Sequence, residues 1–175
     1  MENTQYVYVI LSRSNTMFAK AIRRFTKKYY NHTSIAFEES LTPFYSFGRL
    51  YPRIMFPAGF ITEGVDKGFF KVHPDTKICA IKVPLTQEQL VGVKEKLKPF
   101  TDNPRHYQYN VMRMPLMMAG IPTKNERKYV CSVFVAKLLG DVLDFGKDYS
   151  LVYPEDFLSF GFEIIYEGTA GDYEK

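Results

Sequence analysis

Tyr6-Val7-Tyr8-Val9-Ile10-Leu11 is an unbroken run of aromatic and aliphatic residues that stops at the polar Ser12-Arg13-Ser14-Asn15. Residues of this kind, bounded by turn formers, make a buried strand followed by a turn. The run is far shorter than the roughly 18 apolar residues of a membrane span. The five residues from Met1 to Gln5 carry no basic charge, so no secretory signal is expected.

A helix is expected next, capped by Asn15. Phe18, Ile22, Phe25 and Tyr29 recur at i, i+4, i+7 and i+11 as its apolar face, and Lys20, Arg24, Lys27 and Lys28 form the other. Asn31 to Phe37 and Phe44 to Phe47 read as two strands of a hairpin, joined through Glu38-Glu39-Ser40 and closed by Gly48. Between 49 and 71, Pro52, Pro57, Gly59, Gly64 and Gly68 among aromatics predict a loop or short irregular strands. This aromatic stretch, Tyr45 to Phe70, is a candidate lining for a substrate cleft.

Lys77 to Val83 is strand-like, and Thr86 with Gln89 makes a capping box for a helix reaching Pro99 or Phe100. A further helix is expected from Tyr107 to Met118, kinked or broken at Pro115 and ended by Gly120 and Pro122. Another has Cys131, Phe134, Val135, Leu138, Leu139 and Val142 on one face. Pro154 at a helix start and a strand from Phe162 to Tyr166 complete the chain. Strands and helices mix without a βαβ rhythm, which places the chain in the α+β class. Its 175 residues, 46% hydrophobic and 24% charged, are those of one globular domain spanning 1–175, and no internal repeat is present.

Only Cys79 and Cys131 occur, too few for a disulfide framework or a cysteine zinc site, and a reduced, cytoplasmic setting is expected. Cys79 lies mid-strand with Ile81 and Val83 on its face and reads as core. Cys131 falls in the first turn of its helix, where backbone N–H groups and the helix dipole favour a thiolate. That helix must pack on something. If its partner is the strand starting at His32, imidazole and thiol meet although 99 positions separate them. His73 and His106 have no carboxylate or cysteine at ligand spacing, so neither metal nor cofactor is expected. A Gly-x-Ser-x-Gly elbow around Ser46 is absent, which removes Ser46 as a nucleophile.

Asn31-His32-Thr33-Ser34-Ile35-Ala36 resembles the histidine-bearing strand, and Tyr129-Val130-Cys131-Ser132-Val133-Phe134-Val135 the cysteine-bearing helix start, of the circularly permuted papain-like cysteine hydrolases. This is the NlpC-like superfamily, which includes the lecithin retinol acyltransferases. Permuted members place histidine before cysteine, as here, and the resemblance runs from Tyr6 to Val135. It implies an antiparallel sheet packed against helices, with Cys131 at a helix N-terminus. It also implies that Cys131 is the nucleophile of a thiol hydrolase and His32 the general base and later acid. Ser46 stands where the family more often has Glu or His to orient the imidazole, with Glu38 as an alternative. Tyr109 or Tyr107 would join the Cys131 N–H at the oxyanion. The implied substrate is an amide or ester, such as a peptide, a peptidoglycan fragment or a lipid acyl group.

Charge supports a second reading. The net charge is +4, and between Glu2 and Glu38 the chain carries Arg13, Lys20, Arg23, Arg24, Lys27 and Lys28 without one acid. On that reading the fold is a catalytically inactive binding module whose basic helix, Lys20 to Lys28, holds an anionic partner, either nucleic acid or a membrane surface.

Overall fold

The computed structural model describes residues 4–54 and 56–173. At its centre is β1 (Gln5–Arg13), where every residue from Val7 to Ser12 is buried, so both faces of the strand are covered. β2 (His32–Ala36) and β5 (Lys77–Leu85) flank it, each antiparallel to it. Beyond β2 come β3 (Phe44–Arg49), β4 (Ala58–Glu63), β6 (Gln108–Tyr109) and β7 (Lys128–Tyr129). Beyond β5 lies β8 (Glu163–Thr169). Among the described residues this makes an eight-stranded sheet ordered β7-β6-β4-β3-β2-β1-β5-β8.

Side chains alternate across a strand, and β1 uses both sides. Val7, Val9 and Leu11, with Ile35 and Phe47, meet α3 (Gln87–Asp102) and α5 (Cys131–Leu139). Tyr8 and Ile10, with Ala36 and Phe44, meet Phe70 of the short α2 (Gly68–Val72) and Ala170. Each buried Val, Leu or Phe contributes about 1.5–3 kcal/mol of transfer free energy, so the first face, with the longer helices, carries most of the core. α3 begins at the expected capping box: Thr86 Oγ1 accepts from Gln89 N–H, and Gln89 Oε1 accepts from Thr86 N–H.

Several expectations are corrected. The sheet is mixed rather than antiparallel throughout, because β6 and β7 run parallel. α1 (Met17–Thr26) is capped by Thr16, whose Oγ1 accepts from Ala19 N–H, not by Asn15. It ends at Lys27, in the left-handed region at φ 57°, so Lys28 and Tyr29 fall outside it. Phe25 is 68% exposed and Tyr29 51%, and Ala19 is the one buried residue of the helix. The reason is the return of the chain to start β2: Arg23 donates to Ser14 O and Asn31 Oδ1, which holds α1 across the strand ends rather than down on a sheet face.

The segment expected as a loop or short irregular strands holds one regular strand, β4, paired with β3 along its whole length, because Phe60 and Ile61 are buried and its prolines and most of its glycines lie outside the strand. Gly59 is the exception. A Cβ there would come within 3.0 Å of Tyr107 O on the neighbouring segment. The expected helix from Tyr107 to Met118 divides into β6 and α4 (Arg113–Met118), and Pro115 sits in the first turn of α4, where its missing N–H has no intrahelical partner to lose. α5 is buried on nearly all sides, with only Lys137 reaching out to donate to Tyr129 OH, because it is wedged between the sheet, α3 and the turn at Tyr149–Leu151. Pro154 starts a 3-10 helix, Pro154–Phe160. No helix among the described residues is long and apolar enough to cross a membrane.

Candidate active site

Cys131 is the first residue of α5, after Val130, whose side chain makes no capping bond. The N–H groups of the first turn are therefore free to face a ligand or the thiol itself. The N–H groups of Cys131 and Ser132 both approach the sulfur, as does the N–H of Thr33 on β2, and the Tyr109 hydroxyl donates to it. Ser132 Oγ donates to Val152 O at 2.5 Å and fixes the helix start. Despite four donors, burial dominates and pushes the thiol up to about 11, so Cys131 is protonated at neutral pH.

His32 opens β2. Its Nε2 lies 3.2 Å from Ser46 Oγ, and that hydroxyl is 2.6 Å from Thr33 O. A serine has one proton to give, and Thr33 O, a carbonyl oxygen, can only accept it. Ser46 therefore donates to Thr33 and accepts from His32, which places the ring proton on Nε2 and leaves the Nδ1 lone pair as the base. A Cβ at Gly48 would meet His32 Cε1 at an ordinary contact distance of 3.5 Å and would crowd Ile61 Cδ1 at 2.9 Å. Burial first and the nearby Arg49 charge second push His32 down to about 4, so the imidazole is neutral too.

Thiol and imidazole share no hydrogen bond. Ile35 and Phe47 face α5, so strand alternation turns His32 and Ser46 toward the opposite face, and the two groups adjoin at the end of β2. Thr33 stands between them, its N–H on the thiol side and its carbonyl on the Ser46 side. The structure thus brings Cys131 to Tyr109 and His32 to Ser46 as two adjoining halves. One groove is lined by Cys131 with Lys28, Met114 and Tyr153; another by His32 with Tyr109, Gly48 and Arg49. Ile22 of α1 and Asn31 border both.

Of the remaining candidates, Tyr107 is away from the thiol, its ring 4.3 Å from that of Phe100. Glu38 is exposed in the turn at the far end of β2 and acts on the Tyr8 phenol, not on His32. Cys79 is buried in β5 and hydrogen-bonded to Tyr30; it lines neither groove itself, although Tyr30 borders the one at Cys131. His73 and His106 lie against the rings of Phe69 and Tyr107. From the aromatic segment, Phe47, Phe56, Phe69 and Phe70 line the His32 groove, while Tyr45 and Phe60 stack with each other. Sequence reasoning missed Thr33, whose role is played by its backbone, and Arg49. No local pattern in the sequence singled out Arg49.

No protein-family model matches the sequence, no curated protein matches it, and no solved structure matches the chain.

Proposed function

We propose that this chain is a papain-like thiol hydrolase or acyltransferase of the circularly permuted kind, acting on an amide or ester. The observation that carries the proposal is Cys131 as the first residue of α5, with backbone N–H groups and the Tyr109 hydroxyl around its sulfur and His32 one residue along β2 from its Thr33 donor.

In the reaction, Sγ attacks the substrate carbonyl while its proton passes to Nδ1 of His32, because both groups start neutral and no ion pair is preformed. The carbonyl oxygen, becoming negative, accepts from the Cys131 N–H and Tyr109 hydroxyl. His32 then returns the proton to the leaving amine or alcohol. Water, or a second alcohol or amine, takes the acyl group from the thioester. The free protein holds thiol and imidazole on the two sides of Thr33, so the proton transfer in this proposal requires that the two groups be brought together in the substrate complex. A peptide amide, a peptidoglycan fragment and a lipid acyl ester all satisfy this chemistry.

The test is hydrolysis of a p-nitrophenyl ester and a peptide anilide by the wild type, Cys131→Ala and His32→Ala. Turnover lost in both variants is expected; turnover that persists in Cys131→Ala overturns the reading. The inactive binding module is favoured by one observation: Lys20, Arg24 and Lys27 are exposed around Met17, 88% exposed, and Phe25. It requires binding to nucleic acid or anionic vesicles that weakens steeply with salt and survives Cys131→Ala.

A further inference from the structure

We propose that the groove beside His32 is a subsite for a carboxylate on an apolar stem, with Arg49 as the group that receives it. The inference adds a substrate class to the thiol-hydrolase reading and rests on that reading only for its kinetic consequence, since binding needs no thiol.

Arg49 ends β3 and lines the groove with His32, Gly48, Ile61 and Phe69. The groove encloses about 80 Å³ and opens to solvent, room for a carboxylate and part of its stem rather than for a whole substrate. The guanidinium is half-buried, and its known partners are few: Nη2 donates to Thr16 Oγ1 at 2.9 Å, and the Phe69 ring lies 5.2 Å from its central carbon. No carboxylate among the described residues lies within ion-pair distance of it. Glu63 is the one acid lining the groove, and its Oε1 already accepts from Phe69 N–H at 2.8 Å.

A guanidinium has five N–H donors in a fork that fits a carboxylate bidentately, and removing one from water without a counter-charge is costly. Here a single hydroxyl and a ring face serve it, and an incoming carboxylate completes the set. A phosphate dianion, by contrast, is ordinarily held by several cations or N–H groups, and this groove presents one guanidinium among largely apolar walls. Arg49 also lowers the basicity of His32. A carboxylate that neutralises Arg49 therefore makes the imidazole a stronger base at the moment substrate binds, which couples recognition to proton transfer.

Hippurate and hippuramide, which differ only in carboxylate against amide, serve as probes on the full chain by amide chemical-shift titration. The wild type and Cys131→Ala should each bind hippurate at least tenfold more tightly, with shifts at Gly48 and Arg49 and a raised His32 pKa, and the preference should vanish in Arg49→Met and partly return in Arg49→Lys. Equal binding of the two probes to the wild type, which needs no variant to fold, overturns the proposal. So does a hippurate preference that survives in Arg49→Met, or displacement of hippurate by equimolar inorganic phosphate. In turnover, p-nitrophenyl hydrogen glutarate should exceed p-nitrophenyl pentanoate at least tenfold in kcat/KM. Hydrolysis of both without preference sinks the subsite and spares the hydrolase; hippurate preference in a protein that hydrolyses neither ester sinks the hydrolase and spares the subsite.

Discussion

The two cysteines are almost equally hidden, Cys79 at 1% and Cys131 at 4% exposure, and burial raises the pKa of each. Their neighbours differ. Cys79 sits between strands whose N–H groups are engaged in the ladder, with Glu167 adding an unfavourable charge and the Tyr30 hydroxyl as its one favourable side-chain contact. Cys131 sits at a helix start whose N–H groups have no intrahelical partner, beside one more N–H from Thr33 and a phenol. A thiolate, or an oxyanion beside it, has donors waiting at one cysteine and nearly none at the other. Burial therefore does not separate a core thiol from a candidate nucleophile; the supply of uncommitted donors does.

The contrast is broken most directly by removing each thiol. Cys131→Ala should lower ester hydrolysis by about three orders of magnitude or more, the scale on which loss of a nucleophile is felt, while Cys79→Ala should leave kcat/KM near the wild-type value. Equal losses would show that the donor contrast has no functional meaning.

The phenols sharpen it next. Tyr109→Phe should reduce kcat by about 10²-fold, the scale of a single lost oxyanion donor, whereas Tyr107→Phe, whose ring packs on Phe100, should stay within about twofold. Ser46→Ala removes the acceptor that holds the Nε2 proton, and a loss of about tenfold is expected with Cys131 labelling unchanged.

Smaller effects appear in stability against pH. His32 is held down to about 4 from an ordinary 6.5, so between those values the unfolded chain binds the proton first, and stability falls as pH drops through that window. Cys131 is held up to about 11 from 9.0, so the unfolded chain loses its proton first, and stability falls as pH rises from about 9 to 11. Denaturant titrations of His32→Gln and Cys131→Ala should each flatten only their own limb. By the same assay Cys79→Ala should cost about 1 kcal/mol, the small cavity left in a packed strand face.

Cys131 at a helix start, His32 at a strand start, and the hairpin that sets Ser46 two strands' width from β1 were readable from the residues, because each depends on local pattern: an apolar period, a turn, a capping signal. The capping box at Thr86 and the strand at Tyr6 were readable for the same reason. α1 was read too long because a 3.6-residue period continues through Phe25 and Tyr29, while the left-handed Lys27 and the Arg23 bonds to Ser14 and Asn31 end the helix first. β6 and β7 were missed, and β4 was read only as loop or short irregular strands, because short strands are stabilised by neighbours far along the chain, here Gly59 beside Gln108 and Tyr109 beside Tyr129.

The sequence by itself thus determined an α+β chain with one thiol at a helix start and one histidine ahead of it, since propensity, periodicity and capping act over a few residues. Only the tertiary structure decided that Tyr109 and not Tyr107 reaches the sulfur, that Ser46 and not Glu38 holds the imidazole, that Thr33 stands between the two halves, and that Arg49 lies beside them without a carboxylate partner among the described residues. Those outcomes depend on strand register and on which donors burial leaves without partners, and both are settled by contacts between residues tens of positions apart.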